Sequence, residues 1–176
     1  MLWVKTFFGI LFQTILLGIF LYLPALTLNW SDAFLLLTIH FLMTILASAY
    51  LLIVKPESIE ARMNYDSKTQ PKEDRLATAL MFSAIFVGLS LAPIDIFHLN
   101  LSSSFEGSIK NIGLAIYIIG MLLFMASINA NEFAETTVNI QEERGQKVID
   151  TGIYSMVRHP MYTGFIFFIT GVNVWL

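Results

Sequence analysis

"FFGILFQTILLGIFLYLPALTL", Phe7 to Leu28, contains no charged side chain. A helix over such a run is long enough to cross about 30 Å of hydrocarbon. A second uncharged run, Ala33 to Val54, follows after a short polar break. Across the chain 56% of residues are hydrophobic and 13% are charged, far more apolar than a soluble core of 176 residues needs. The first run is too long for the apolar region of a signal peptide, and no small-residue cleavage site follows it. It is therefore expected to be a retained transmembrane helix.

Working outward, five apolar segments stand out, at about 6–24, 33–54, 76–94, 111–128 and 160–176. They predict an all-α, polytopic membrane bundle forming a single domain over 1–176. Ser31 or Asp32 is the expected cap of the second helix. Pro93 is expected to close the third, and Gly107 with Ser108 to open the fourth. Trp3, Trp30 and Trp175 fall at segment ends, where indoles favour the headgroup zone. Gly113 and Gly120 share a helix face, as do Gly164 and Gly171, and both pairs predict close helix packing. His40, Thr44 and Ser48 recur every four residues on the second segment. Ala47 and Ser48 suggest a packing face there, so His40 is read as a helix–helix hydrogen-bonding group before a functional one.

Lysine and arginine set the orientation. Lys5, the loop after the second segment (Lys55, Arg62, Lys68, Lys72, Arg75) and the stretch after the fourth (Arg144, Lys147, Arg158) hold nine of the ten basic residues. Lys110 alone lies on the other side. That bias puts the N-terminus and both long polar stretches in the cytoplasm. The loop 55–75 balances five positive against five negative side chains. It reads as a solvated connector with a helical turn near Ile59 to Met63 and no chemistry. The stretch from Asn129 to Thr151 carries Phe133, Val138, Ile140, Val148 and Ile149 among polar residues. It is expected to fold against the helix ends, with a short extended portion over "RGQKVIDTG". A net charge of −3 offers nothing to nucleic acid, and the absence of cysteine excludes thiolate chemistry and disulfides. His40, His98 and His159 are scattered over different segments, which disfavours a metal site.

The chemically unusual stretch is "TGIYSMVRHPMYTG", 151–164. Pro160 lacks an N–H and suits the first position of a helix. It also disfavours helical geometry at His159. A bend at Arg158 and His159 followed by a helix from Pro160 is predicted. The first turn of that helix, with N–H groups of Met161, Tyr162 and Thr163 free and Arg158 beside it, makes a corner suited to an anion. Tyr154 and Tyr162 add aromatic faces that attract cations. A zwitterionic ligand fits that combination. Topology marking by arginine and capping by proline explain the same residues without any ligand.

In this stretch the chain resembles the isoprenylcysteine carboxyl methyltransferase and phospholipid methyltransferase superfamily of integral membrane enzymes. The signature is read at Gly152, Tyr154, Arg158, His159, Pro160, Tyr162 and Gly164, without departure. Asn131 to Ala134 and "QEERGQKVI", 141–149, are similar to the bacterial branch, as is "KPESIEAR", 55–62, more loosely. The resemblance implies S-adenosylmethionine as methyl donor. It implies a cytoplasmic pocket within 129–164 lined by Gln141, Gln146, Lys147, Val148, Ile149, Gly152, Tyr154, His159, Pro160 and Tyr162, with Arg158 and His159 as catalytic candidates. The implied acceptor is amphiphilic, a prenyl-cysteine carboxylate or a lipid head group in contact with membrane lipids. The superfamily also implies a further crossing and a cytoplasmic tail with paired acids, which residues 1–176 do not include; Glu142 and Glu143 lie upstream and are not their equivalents. Two other readings stand beside this one: a nicotinamide-binding enzyme resembling membrane sterol reductases, and a non-catalytic membrane protein that binds lipid or a partner.

Overall fold

The computed structural model describes residues 1–63, 72–101, 105–131 and 148–176. Among them the chain forms α1 (Leu2–Ala25), α2 (Ser31–Val54), α3 (Pro56–Met63), α4 (Lys72–Ile94), α5 (Gly107–Ala130) and α6 (Pro160–Trp175). A π-helical turn, Asp95–Leu99, prolongs α4, and a 3-10 turn, Gly152–Ser155, precedes α6. The helices α1, α2, α4 with its π turn, and α5 are long and apolar enough to cross a membrane. The sixteen residues of α6 give about 24 Å of helix.

Most of the apolar surface of these helices faces outward. Phe8, Phe12, Phe34, Leu46, Leu80 and Ile166 are all exposed, each on a different turn of the bundle surface. In water that surface would be a severe liability; in lipid it is the solvent-facing side of a helix whose backbone bonds are all internal. The chain is a polytopic integral membrane protein.

The interior is a thin seam. Leu17 and Leu21 of α1, Leu36 of α2, Leu89 of α4, Tyr117 and Met121 of α5 and Val172 of α6 share one buried cluster. The tightest pair is α5 with α6, antiparallel. A Cβ placed on Gly120 would lie 2.6 Å from the Phe168 nitrogen and 2.8 Å from the Gly164 carbonyl oxygen. Gly171 meets the Tyr117 backbone, and Gly113 meets Val174 and Trp175 in the same way. The two glycine pairs named from sequence thus let two backbones touch. His40 Nδ1 lies 2.8 Å from the Tyr117 hydroxyl, buried between α2 and α5, so His40 bonds across helices as expected. Thr44 does not extend that bridge; its hydroxyl donates to the His40 carbonyl on its own helix, 2.7 Å away.

Four local expectations are corrected. The N-cap of α2 is Trp30, with no side-chain cap; Ser31 and Asp32 are already helical. Asp32 is diverted to Lys110, 2.5 Å away on α5. Trp30 and Trp175 face inward and are buried. Trp30 packs edge-on against Tyr22 and Phe97, and the Trp175 indole donates to the Asp32 carbonyl at 3.1 Å with Lys110 5.0 Å from its ring centre. Pro93 does not end its helix. It is fully buried inside α4, and the backbone continues into the π turn, which ends at Asn100 in the left-handed region (φ 50). Finally, the helical turn expected near Ile59 to Met63 is present but starts earlier, as a two-turn helix Pro56–Met63 whose Ser58 and Ile59 are buried where a solvated segment was expected.

Candidate functional site

One end of the bundle collects the start of α1, the end of α2, α3, the end of α5 and the start of α6. Leu2, Leu51, Leu52, Ile59 and Ile128 form a small cluster there. Because α4 ends beside Pro24, where the His98 Nε2 meets the Pro24 carbonyl at 2.6 Å, its start with Arg75 returns to the same end. Lys5, Lys55, Arg62, Arg75 and Arg158 therefore share one end of the molecule. Lys110 is at the other, paired with Asp32.

The signature is built at that basic end. Gly152 begins the 3-10 turn with φ +60, a left-handed conformation that costs a residue with Cβ about 1–2 kcal/mol. Space is not the constraint, since a Cβ would sit 3.7 Å from that of Ala130, an ordinary contact. The turn closes through Tyr154 N–H to the Thr151 carbonyl (3.2 Å) and the Ser155 hydroxyl to the Gly152 carbonyl (2.7 Å). It lies against the last turn of α5, where the Asn131 side-chain amide donates to the Tyr154 hydroxyl at 3.4 Å. Tyr154 is half-buried.

His159 is the N-cap residue of α6, with φ −130 and ψ 64, and Pro160 occupies the first helical position, fully buried. The bend expected from the Arg-His-Pro order is present. The Thr163 N–H and hydroxyl both donate to the His159 carbonyl, at 3.1 and 3.2 Å, so Thr163 is not a free donor as expected. The carbonyl four residues back already serves it. Among the described residues no acceptor meets the N–H of Met161 or Tyr162. The imidazole of His159 stacks on the Tyr162 ring, centroids 5.7 Å apart and 28° between planes. Arg158, His159 and Tyr162 are all exposed.

Of the residues the sequence nominated, Gly152, Tyr154, Arg158, His159, Pro160 and Tyr162 come together in this corner. Val148 points away at 92% exposure, and Ile149 is half-buried. Val148 to Asp150 form no strand, so the described end of the expected extended portion is irregular. Gln141, Gln146 and Lys147 lie outside the described residues, as do Glu142 and Glu143. Sequence reasoning missed Lys55, whose ammonium donates to the Asn129 carbonyl at 2.5 Å. The signal available was the proline that follows it, which stops α2 and holds the lysine at a corner. Beside it the Oδ1 of Asn129 is buried and has no partner among the described residues.

Comparison with known proteins bears on this same region. Residues 109–176, spanning α5, the 3-10 turn and α6, match the phospholipid methyltransferase family model. Protein-S-isoprenylcysteine O-methyltransferase B of Arabidopsis thaliana is 35% identical over 69 residues, which are 39% of this chain and 35% of that protein. A probable protein-S-isoprenylcysteine O-methyltransferase of Oryza sativa subsp. indica is 30% identical over 107 residues, 57% of this chain and 55% of that protein. The chain thus spans between a third and just over half the length of these curated relatives. No solved structure gives a significant match. The similarity to phospholipid and isoprenylcysteine methyltransferases thus falls on the signature corner and the two helices that carry it.

Proposed function

We propose that the chain is a membrane methyltransferase using S-adenosylmethionine at the cytoplasmic surface, with an amphiphilic acceptor, a prenyl-cysteine carboxylate or a lipid head group. The observation that carries this reading is the corner at α6. Two N–H groups unmet among the described residues, the Arg158 guanidinium and a stacked imidazole–phenol pair stand together at the basic end of an otherwise apolar bundle. The names of the relatives and the positive-inside bias support the same reading.

S-adenosylmethionine supplies a methyl group made electrophilic by its sulfonium. The residues of the corner fit the rest of that molecule. Arg158 and the N–H groups of Met161 and Tyr162 suit its carboxylate, with the partial positive charge of the helix start adding to the guanidinium. The faces of Tyr162 and Tyr154 suit a cationic centre. Gln141, Gln146 and Lys147 are further donor contacts that the family resemblance implies, and they lie outside the described residues. Methyl transfer is an in-line displacement, so the protein's main contribution is alignment. An acceptor carboxylate loses no proton on methylation and needs no base; an amine does, and His159 is the imidazole at hand.

The test is transfer of tritiated methyl from labelled donor by the purified chain in lipid nanodiscs. Prenyl-cysteine and aminophospholipid are offered as separate acceptors. An alkali-labile methyl ester identifies the carboxylate acceptor, and alkali-stable label in lipid identifies the amine. Arg158→Ala should abolish either. Saturable binding of a nicotinamide dinucleotide without donor use would overturn the reading in favour of a reductase, and absence of binding and transfer alike would leave a scaffold.

A further inference from the structure

We infer that Lys55 is a positioning residue for the signature corner, acting through the last turn of α5; this rests on reading that corner as the methyl-donor site. Lys55 has its backbone committed on both sides. Its N–H donates to the Leu51 carbonyl at 2.7 Å, ending α2, and its carbonyl accepts from Ser58 at 3.1 Å, beginning α3. Pro56 directly after it makes the corner rigid. The side chain then crosses to a different helix, 74 residues along the chain, and places its ammonium on the Asn129 carbonyl.

That carbonyl is one of the last four of α5, which no further turn of helix satisfies. A cation there both completes the hydrogen bond and complements the negative end of the helix. A lysine that served only to mark topology would end in water; this one ends, part-buried, on a specific acceptor. Below it, Leu51, Leu52 and Ile59 pack with Ile128 of α5, so the same corner is fixed by apolar contact one turn earlier. Just beyond Asn129, the Asn131 N–H is held by the Ser127 carbonyl at 3.0 Å, and its side chain reaches the Tyr154 hydroxyl. Ala130 lies under Gly152. The last turn of α5 is thus clamped by Lys55 on one side and supports the signature turn on the other. The lysine sets where Tyr154 stands without touching a ligand.

Three variants of the whole chain test this in detergent: Lys55→Met, Lys55→Arg and, as a stability control at the opposite end of the bundle, Lys110→Met. Lys55→Met should weaken S-adenosylmethionine binding about tenfold, the equivalent of one lost charge-assisted hydrogen bond. Lys55→Arg should restore it, and Lys110→Met should lower the melting temperature while leaving donor affinity alone. Donor affinity unchanged in Lys55→Met, or lost equally in Lys110→Met, would overturn the inference. A second readout is independent of the donor. With 3-fluorotyrosine at position 154, the fluorine resonance should move in Lys55→Met and return in Lys55→Arg; a resonance that does not move overturns the link. If the resonance responds while the unmodified chain ignores the donor, the link stands and the methyl-donor reading falls.

Discussion

Placing a methyl group on Gly120 tests the packing on which the site stands. The added Cβ would lie 2.6 Å from one backbone atom and 2.8 Å from another, whereas ordinary contact begins near 3.4 Å. Neither atom is the end of a flexible side chain, so α5 and α6 must part by about 0.8 Å. Parting them forfeits dispersion along the whole seam. Overpacking of this kind costs about 1–3 kcal/mol, offset by about 0.5–1 kcal/mol from replacing glycine within a helix. A net loss of about 1–2 kcal/mol follows, which for a chain of this size lowers the melting temperature by about 5 °C. The assay is thermal unfolding of the purified chain in detergent. Gly9→Ala is the matched control, since its Cβ would meet only the flexible end of Met63 at 3.9 Å. That variant should melt at or above the parent. Gly164→Ala, whose nearest atoms are at 3.0 and 3.2 Å, should fall between the two. If Gly120→Ala melts with Gly9→Ala, the close approach of α5 and α6 is wrong, and with it the placement of Pro160 beside the end of α5.

Tyr117→Phe leaves the buried His40 Nδ1 without its partner and should cost about 1–2 kcal/mol in the same assay. The double variant with His40→Leu should cost less than the two singles combined, and strict additivity would argue against the bond. Lys110→Met removes a half-exposed ion pair and should cost no more than about 1 kcal/mol, a loss that shrinks as salt is raised. Gly152→Ala meets the left-handed φ of +60 and should weaken donor binding by up to about tenfold, whereas Gly152→Asn, which tolerates that conformation, should retain most of it. Equal losses in the two would show that space, not backbone conformation, requires the glycine.

The helices were legible because their evidence is local. Phe7 to Leu28 and Ala33 to Val54 are uninterrupted apolar runs, and no cross-chain contact is needed to read them. Pro160 was legible for the same reason: a missing N–H has a preferred place at a helix start whatever packs around it. The glycine pairs at 113 and 120, and at 164 and 171, showed their faces through spacing alone, although not which helix each would meet. What escaped was set by distant partners. Trp175 and Trp30 looked like interfacial indoles, but Trp175 bonds to Asp32, 143 residues away, and that acceptor is invisible to any window of sequence. Asp32 looked like a cap because aspartate before an apolar run usually is one; Lys110 outbids the backbone for it. Lys55 looked like one more cytoplasmic charge until its acceptor on α5 came into view. In the site the sequence named the residues of the corner and Asn131 beside them, while the three-dimensional arrangement added the bond from Lys55 to the end of α5.

The central claim is that the bend at Arg158, His159 and Pro160 grips a small charged methyl donor. Equilibrium dialysis of S-adenosylmethionine against the intact purified chain addresses it most directly. The account requires saturable binding that His159→Ala and Tyr162→Ala each remove while the melting temperature holds. Indifference of the unmodified chain to the donor, or full binding in both variants, would contradict it.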